Sequence, residues 1–138
     1  MKKLIRRRGS CIVETPNGIL LASGRRKVFL LPGGGANKNE SRQKAAIREL
    51  EEETGLKTTS CEYLFTYNEN EKTNDNKKFN IIDLHKVFLI KAEGELVPNY
   101  EDVSFIDYYS PDLNVSNTTK NIIKQFKELK WQLLKKEN

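Results

Sequence analysis

From Gly34 to Leu56 the chain reads GGANKNESRQKAAIRELEEETGL. This is a glycine turn, a polar loop and a helix closed by another glycine. The helix carries Glu49, Glu51, Glu52 and Glu53 within five positions. At about 100° per residue, Glu49, Glu52 and Glu53 share one arc of the helix. Ala46, Ile47, Leu50 and Thr54 occupy the adjoining arc and form a buried stripe. One face therefore packs on a core while its neighbour presents three carboxylates together. Like charges three and four apart destabilise a helix by roughly 0.2–0.5 kcal/mol per pair. Negative charge near a helix C-terminus also opposes the macrodipole. Two readings follow: a solvated acidic face, or a site for a hard divalent cation such as Mg²⁺, which prefers oxygen ligands and phosphate co-ligands.

The spacing separates the readings. Gly34 is followed after five residues by Glu40, then after seven by Arg48-Glu49-Leu50. One residue later come Glu52-Glu53, and one after that Gly55-Leu56. This resembles the Nudix box of the Nudix hydrolases (MutT-like pyrophosphohydrolases) at each defining position. The resemblance implies that Glu49, Glu52 and Glu53 bind metal, with Mg²⁺ as the ion and Mn²⁺ as a substitute. It implies a further ligand in the Gly34 carbonyl and a water-activating base at Glu52 or Glu53. Arg48 would brace the glutamates, its place four before Glu52 suiting a helical ion pair. Glu40 would be structural. An ordinary surface pair is the alternative for Arg48 and Glu40, worth only ~0–1 kcal/mol. In the family a loop glutamate further along completes the metal site or acts as base; Glu101 is the candidate here and Asp102 the second choice.

The 138 residues suit one domain spanning 1–138, and 37% hydrophobic with 31% charged residues suits a globular chain. No apolar run approaches the ~20 residues that span a bilayer. The start, MKKLIRRR, is basic without an apolar segment behind it, so it does not read as a signal peptide and the cytoplasm is the expected location. Cys11 and Cys61 then read as buried thiols rather than a disulfide. The net charge of +5 gathers at the two ends and favours polyanions, a nucleotide foremost. RNA binding has no motif behind it, and the basic runs read by default as solvated faces. A membrane partner is not expected; self-association is left open.

Along the chain, Gly9 to Glu14 reads as a strand, Pro16-Asn17-Gly18 as a turn and Ile19 to Ala22 as the returning strand. Val28 to Leu31 reads as a short strand stopped by Pro32, before a glycine loop able to approach metal and phosphate. Arg25 and Arg26 are candidates for phosphate contact, or a solvated turn. Asn39 reads as N-cap and Gly55 as C-terminal cap of a helix over about Glu40 to Thr54. Cys61 to Tyr67 and Phe79 to Lys91 read as strands, separated by an exposed polar loop. The second is apolar on both faces, interrupted by Asp83 and His85 together, which suggests a cavity wall. His85 reads as a structural histidine or a substrate contact. Leu96-Val97 and Val103 to Tyr108 read as short strands. Tyr100, Tyr108, Tyr109 and Phe79 are candidate base-stacking rings or core. Ser116 caps a last helix, about Asn117 to Lys135, with Trp131 off its apolar stripe.

Strands, box helix, strands and C-terminal helix make an α/β domain with a mixed sheet between the helices, in agreement with the Nudix α/β/α sandwich. The resemblance implies Mg²⁺-dependent attack of water on a phosphoanhydride in a nucleoside diphosphate linked to another group. Pyrophosphate removal from RNA 5′ ends and a non-catalytic nucleotide-binding module remain as alternatives. Glu71 and Thr73 stand near where the ADP-ribose and dinucleoside-polyphosphate subgroups carry proline and tyrosine, so neither subgroup is indicated.

Overall fold

The computed structural model describes residues 2–69, 72–73, 79–99, 101 and 103–137. Strands β1 (Lys2–Ile12), β2 (Glu14–Thr15), β3 (Gly18–Ser23) and β4 (Gly33–Gly35) precede helix α1 (Arg42–Thr54). Strands β5 (Lys57–Asn68), β6 (Lys72–Thr73), β7 (Phe79–Glu93) and β8 (Phe105–Tyr108) precede helix α2 (Asn117–Glu137). The larger sheet has the order β4-β1-β7-β5, with β6 also on β7. It is mixed: β7 runs parallel to β1 and antiparallel to β5 and β6. A smaller antiparallel sheet has the order β2-β3-β8.

Alternation along the central strands builds two cores, one on each face. On the α1 side, Cys11, Val13, Leu20, Phe88 and Ile90 pack with Ala46 and Leu50. On the α2 side, Ile12, Leu21 and Val87 pack with Ile122, Ile123 and Phe126. The expected mixed sheet between two helices is the observed fold. Gly9 lets α1 come close to the sheet, because a Cβ there would run into the Arg42 carbonyl and lie 2.9 Å from Ala46 Cβ. Cys11 Sγ donates to the Ala46 carbonyl at 3.2 Å. Both cysteines are free, Cys11 buried and Cys61 partly so.

Several boundaries differ from the sequence reading. The helix N-cap is Ser41, whose hydroxyl accepts from Lys44 N at 3.1 Å. Asn39 lies before it in a left-handed turn, φ 66°. Gly55 ends the helix at φ 78°, its N–H bound to Glu51 O, as expected of a left-handed cap. The first strand begins at Lys2 rather than Gly9, so the basic start belongs to the sheet. Val28 to Leu31 makes only isolated bridges, Ala22 to Leu30 and Phe29 to Val115. Leu96-Val97 forms no strand; Val97 N is spent on Thr54 O at the helix end, 2.8 Å. The glycines 33–35 form a short edge strand antiparallel to β1. Ser116 caps α2 through Thr119 N at 3.2 Å, as read. Past Phe126 the stripe residues Leu133 and Leu134 of α2 are exposed, as is Trp131 off the stripe. Among the described residues no helix is long and apolar enough to cross a membrane.

Candidate active site

One cavity of about 410 Å³ lies on the α2 face of the larger sheet. Its floor comes from side chains of alternate residues on two parallel neighbours. Arg6 is in register with Asp83, Arg8 with His85 and Ser10 with Val87. The Arg6 guanidinium grips Asp83 with two bonds, 2.5 and 2.7 Å. Burial opposes the Asp83 charge, but these bonds and the Arg6 charge outweigh it and hold the carboxyl below its ordinary range. His85 Nε2 meets Glu69 Oε1 at 2.7 Å, and its Nδ1 meets Ser10 Oγ at 3.1 Å. Burial lowers the imidazole pKa against the pull of Glu69. The neutral ring therefore carries its proton on Nε2, since a carboxylate only accepts, and Nδ1 accepts from the Ser10 hydroxyl. Glu69, Asp83 and His85 bring potential ligand atoms within 4.8 Å of one another. Arg6 already balances Asp83, and His85 is committed on both sides, so this cluster is a hydrogen-bonded wall.

The box residues form the opposite end. Arg48 is the hub: its Nε and Nη2 reach Glu40 at 2.9 and 3.0 Å. Its Nη1 reaches Glu49 at 2.9 Å and Glu52 at 3.3 Å, and Nη2 also reaches Gly35 O at 3.2 Å. The bond from Arg48, with one from Asn37 N, lowers the Glu40 pKa to about 2. Glu53 accepts from Gly33 N at 3.3 Å. Burial nevertheless raises its pKa to about 8, with the nearby Glu49 adding to the rise. Gly34 touches Glu49 so closely that a Cβ there would lie 2.7 Å from the carboxyl carbon.

Glu49 and Glu53 thus line the cavity together with Gly33. Glu52 stands outside the lining, its side chain 52% exposed and turned to Arg48. Glu101 sits on an exposed turn outside the lining, its own N–H bound to Asn99 Oδ1. Asp102, Tyr100 and Glu71 lie outside the described residues, as does the Phe79 side chain. Arg25 and Arg26 are exposed in a turn and do not line the cavity. Tyr108 and Tyr109 pack against the two cores instead. Arg6, Arg8, Ser10 and Glu69 line the cavity; reading the basic start as a solvated run missed the arginines, and reading an exposed polar loop after Tyr67 missed Glu69. The period-two spacing of Arg6, Arg8 and Ser10, ahead of apolar Ile12, was the available signal.

A divalent cation suits the box end. The donors there are carboxylate and carbonyl oxygens, matched to a hard ion. The glycine backbone leaves the Glu49 carboxylate beside the edge strand, where a side chain would displace it. Glu53 is a buried carboxylate whose pKa is raised by burial and by Glu49 beside it, an arrangement that a cation would relieve.

The family described as the NUDIX domain matches residues 4–131. The solved structure of a nudix hydrolase family member from Chromobacterium violaceum aligns over 91% of this chain and 78% of its own, at 34% identity and a TM-score of 0.73. A MutT protein from Methanosarcina mazei aligns over 94% and 98%, at 17% identity and a TM-score of 0.75. A pyrophosphohydrolase from Bacillus subtilis aligns over 91% and 84%, at 19% identity and a TM-score of 0.67. Comparison with curated protein sequences gave no match. The chain belongs to the Nudix hydrolase family. That membership indicates hydrolysis of pyrophosphate-containing, nucleotide-type substrates with a divalent metal ion.

Proposed function

We propose that this chain is a single-domain, Mg²⁺-dependent pyrophosphohydrolase that cuts the phosphoanhydride of a nucleoside diphosphate linked to another group. The observation that carries the reading is the meeting of Glu49 and Glu53 with the glycine edge strand in the same cavity. Glu49, Glu53 and the Gly34 carbonyl would hold the ion, with Glu52 joining them on release from Arg48. When bound, the metal supplies neutralisation of the phosphate oxygens and acidifies water.

Water attacks phosphorus, its oxygen forming the new P–O bond as the bridging P–O bond breaks. Glu53, a box carboxylate on the cavity wall beside the glycine edge strand, takes the proton of that water. We assign the base to Glu53 rather than Glu101 because Glu53 lines the cavity. Arg48 fixes the rotamers of Glu49 and Glu52. The floor of Arg6, Arg8, Asp83 and His85 receives the part of the substrate that does not react.

The test is product release from a panel: canonical and oxidised nucleoside triphosphates, ADP-ribose, dinucleoside polyphosphates and 5′-triphosphorylated RNA. Glu53→Gln runs beside wild type, each with and without Mg²⁺. Cleavage that disappears in the variant and without metal supports the reading and names the substrate. A folded protein that binds a panel member and cleaves none turns it to the non-catalytic nucleotide-binding module.

A further inference from the structure

Every ionisable side chain on the described cavity wall makes a hydrogen bond except Arg8. Arg6 is spent on Asp83, His85 on Ser10 and Glu69, Glu49 on Arg48, and Glu53 accepts the Gly33 N–H. Arg8 makes no hydrogen bond or ion pair with any described residue, though it is partly buried and lines the cavity. A guanidinium partly withdrawn from water without a hydrogen-bonded anion is costly. Its planar fork of five donors matches the oxygens of a phosphate.

The position of Arg8 says where that phosphate would lie. On β1 it sits opposite His85 and one alternate residue from both Arg6 and Ser10. Its register partner on the other side is Gly35 of the edge strand β4, beside the box. Arg8 therefore stands between the box carboxylates and the polar wall. Among the described lining residues there is no phenylalanine, tyrosine or tryptophan on which a base would stack.

We propose that Arg8 binds the non-bridging oxygens of a substrate phosphoryl group adjacent to the scissile anhydride, so that the floor of the cavity anchors an anion rather than a stacked nucleobase. This rests on the pyrophosphohydrolase reading for the identity of the anion. It narrows the substrate class to compounds whose anhydride continues into a phosphate chain or a phosphate monoester at that point.

The experiment is equilibrium binding of inorganic tripolyphosphate in Mg²⁺ to wild type, Arg8→Ala, Arg8→Lys and Arg25→Ala. Kinetics of the same proteins run on whichever panel member wild type cleaves. Arg8→Ala should weaken tripolyphosphate binding by about tenfold or more, the scale of a hydrogen bond to a charged group. It should raise KM with a smaller change in kcat. Arg8→Lys should restore part of the affinity, and Arg25→Ala should leave it unchanged. Thermal melting of each variant separates lost binding from lost folding, and Arg8→Lys carries the test where Arg8→Ala does not fold.

Wild-type hydrolysis with unaltered tripolyphosphate binding in a folded Arg8→Ala overturns the inference and leaves the hydrolase reading standing. So does an Arg8→Ala that changes the preference among bases while binding tripolyphosphate normally, which would make Arg8 a base reader. Wild type that neither binds tripolyphosphate nor cleaves any panel member overturns both.

Discussion

The carboxyl carbon of Glu49 lies where a side chain on Gly34 would need to be, 2.7 Å from an ideal Cβ. The backbone of Gly34 is not in the left-handed region, so the constraint is space alone. Gly34→Ala should therefore push Glu49 out of place while the strand still forms. We expect a loss of roughly 10²-fold in kcat/KM, the scale of a misplacement near 1 Å at a reacting centre. Thermal melting should fall only slightly. A Gly34→Ala protein with wild-type kcat/KM would remove Glu49 from the site.

Arg48 holds Glu40, Glu49 and Glu52 at once through a fixed fork. Lysine carries the same charge without that fork. Arg48→Lys should weaken metal affinity by roughly 10–100-fold, as removal of groups that orient metal ligands does. The Mg²⁺ concentration giving half-maximal rate reads this directly. Equal Mg²⁺ dependence in both proteins would make Arg48 an ordinary surface partner.

Two carboxyls give opposite slopes of stability against pH. The Glu53 pKa is raised from 4.5 to about 8, so the folded state prefers its protonated form. Its contribution is complete below 4.5 and is lost as pH rises through about 8. Metal-free wild type should lose Tm across that window, and Glu53→Gln should flatten the loss. Mg²⁺ should oppose it by supplying the missing counter-charge. Glu40 is lowered from 4.5 to about 2, so its contribution is present above 4.5 and is lost as pH falls toward about 2. Glu40→Gln should remove that acid limb. Melting curves across the pH range in chelator check both slopes.

Gly9 sets the distance between α1 and the sheet, with Ala46 Cβ only 2.9 Å from an added Cβ. Gly9→Ala should cost about 1–3 kcal/mol in denaturant unfolding, the usual range for overpacking. Activity should fall with it, because α1 carries Glu49 and Glu53. A variant as stable as wild type would mean that the helix shifts freely.

The box helix was legible because all its determinants are local. Glutamates on one arc, alanines on the next and a closing glycine lie within a few turns. The cap was misplaced by two residues, from Asn39 to Ser41, because both residues cap helices and only the left-handed turn at Asn39 separates them. The cavity floor was half legible. Asp83 and His85 stood out as polar residues on a buried face. Their partners Arg6 and Ser10 lie more than seventy residues earlier, in a run that reads as solvated charge, and no local pattern announces a parallel neighbour.

The parallel pairing of β1 with β7 sets the order in which a newly made chain acquires its site. Arg6 is separated from Asp83 by 77 residues. At roughly 5–20 residues per second of synthesis, the first strand leaves the ribosome several seconds before its neighbour exists. Closing so long a loop is entropically slow, and non-local pairing delays folding. Until then the arginine-rich strand has neither its carboxylates nor its neighbour's backbone. The box helix is synthesised much earlier, so the carboxylate end of the cavity can take shape before its floor is assembled.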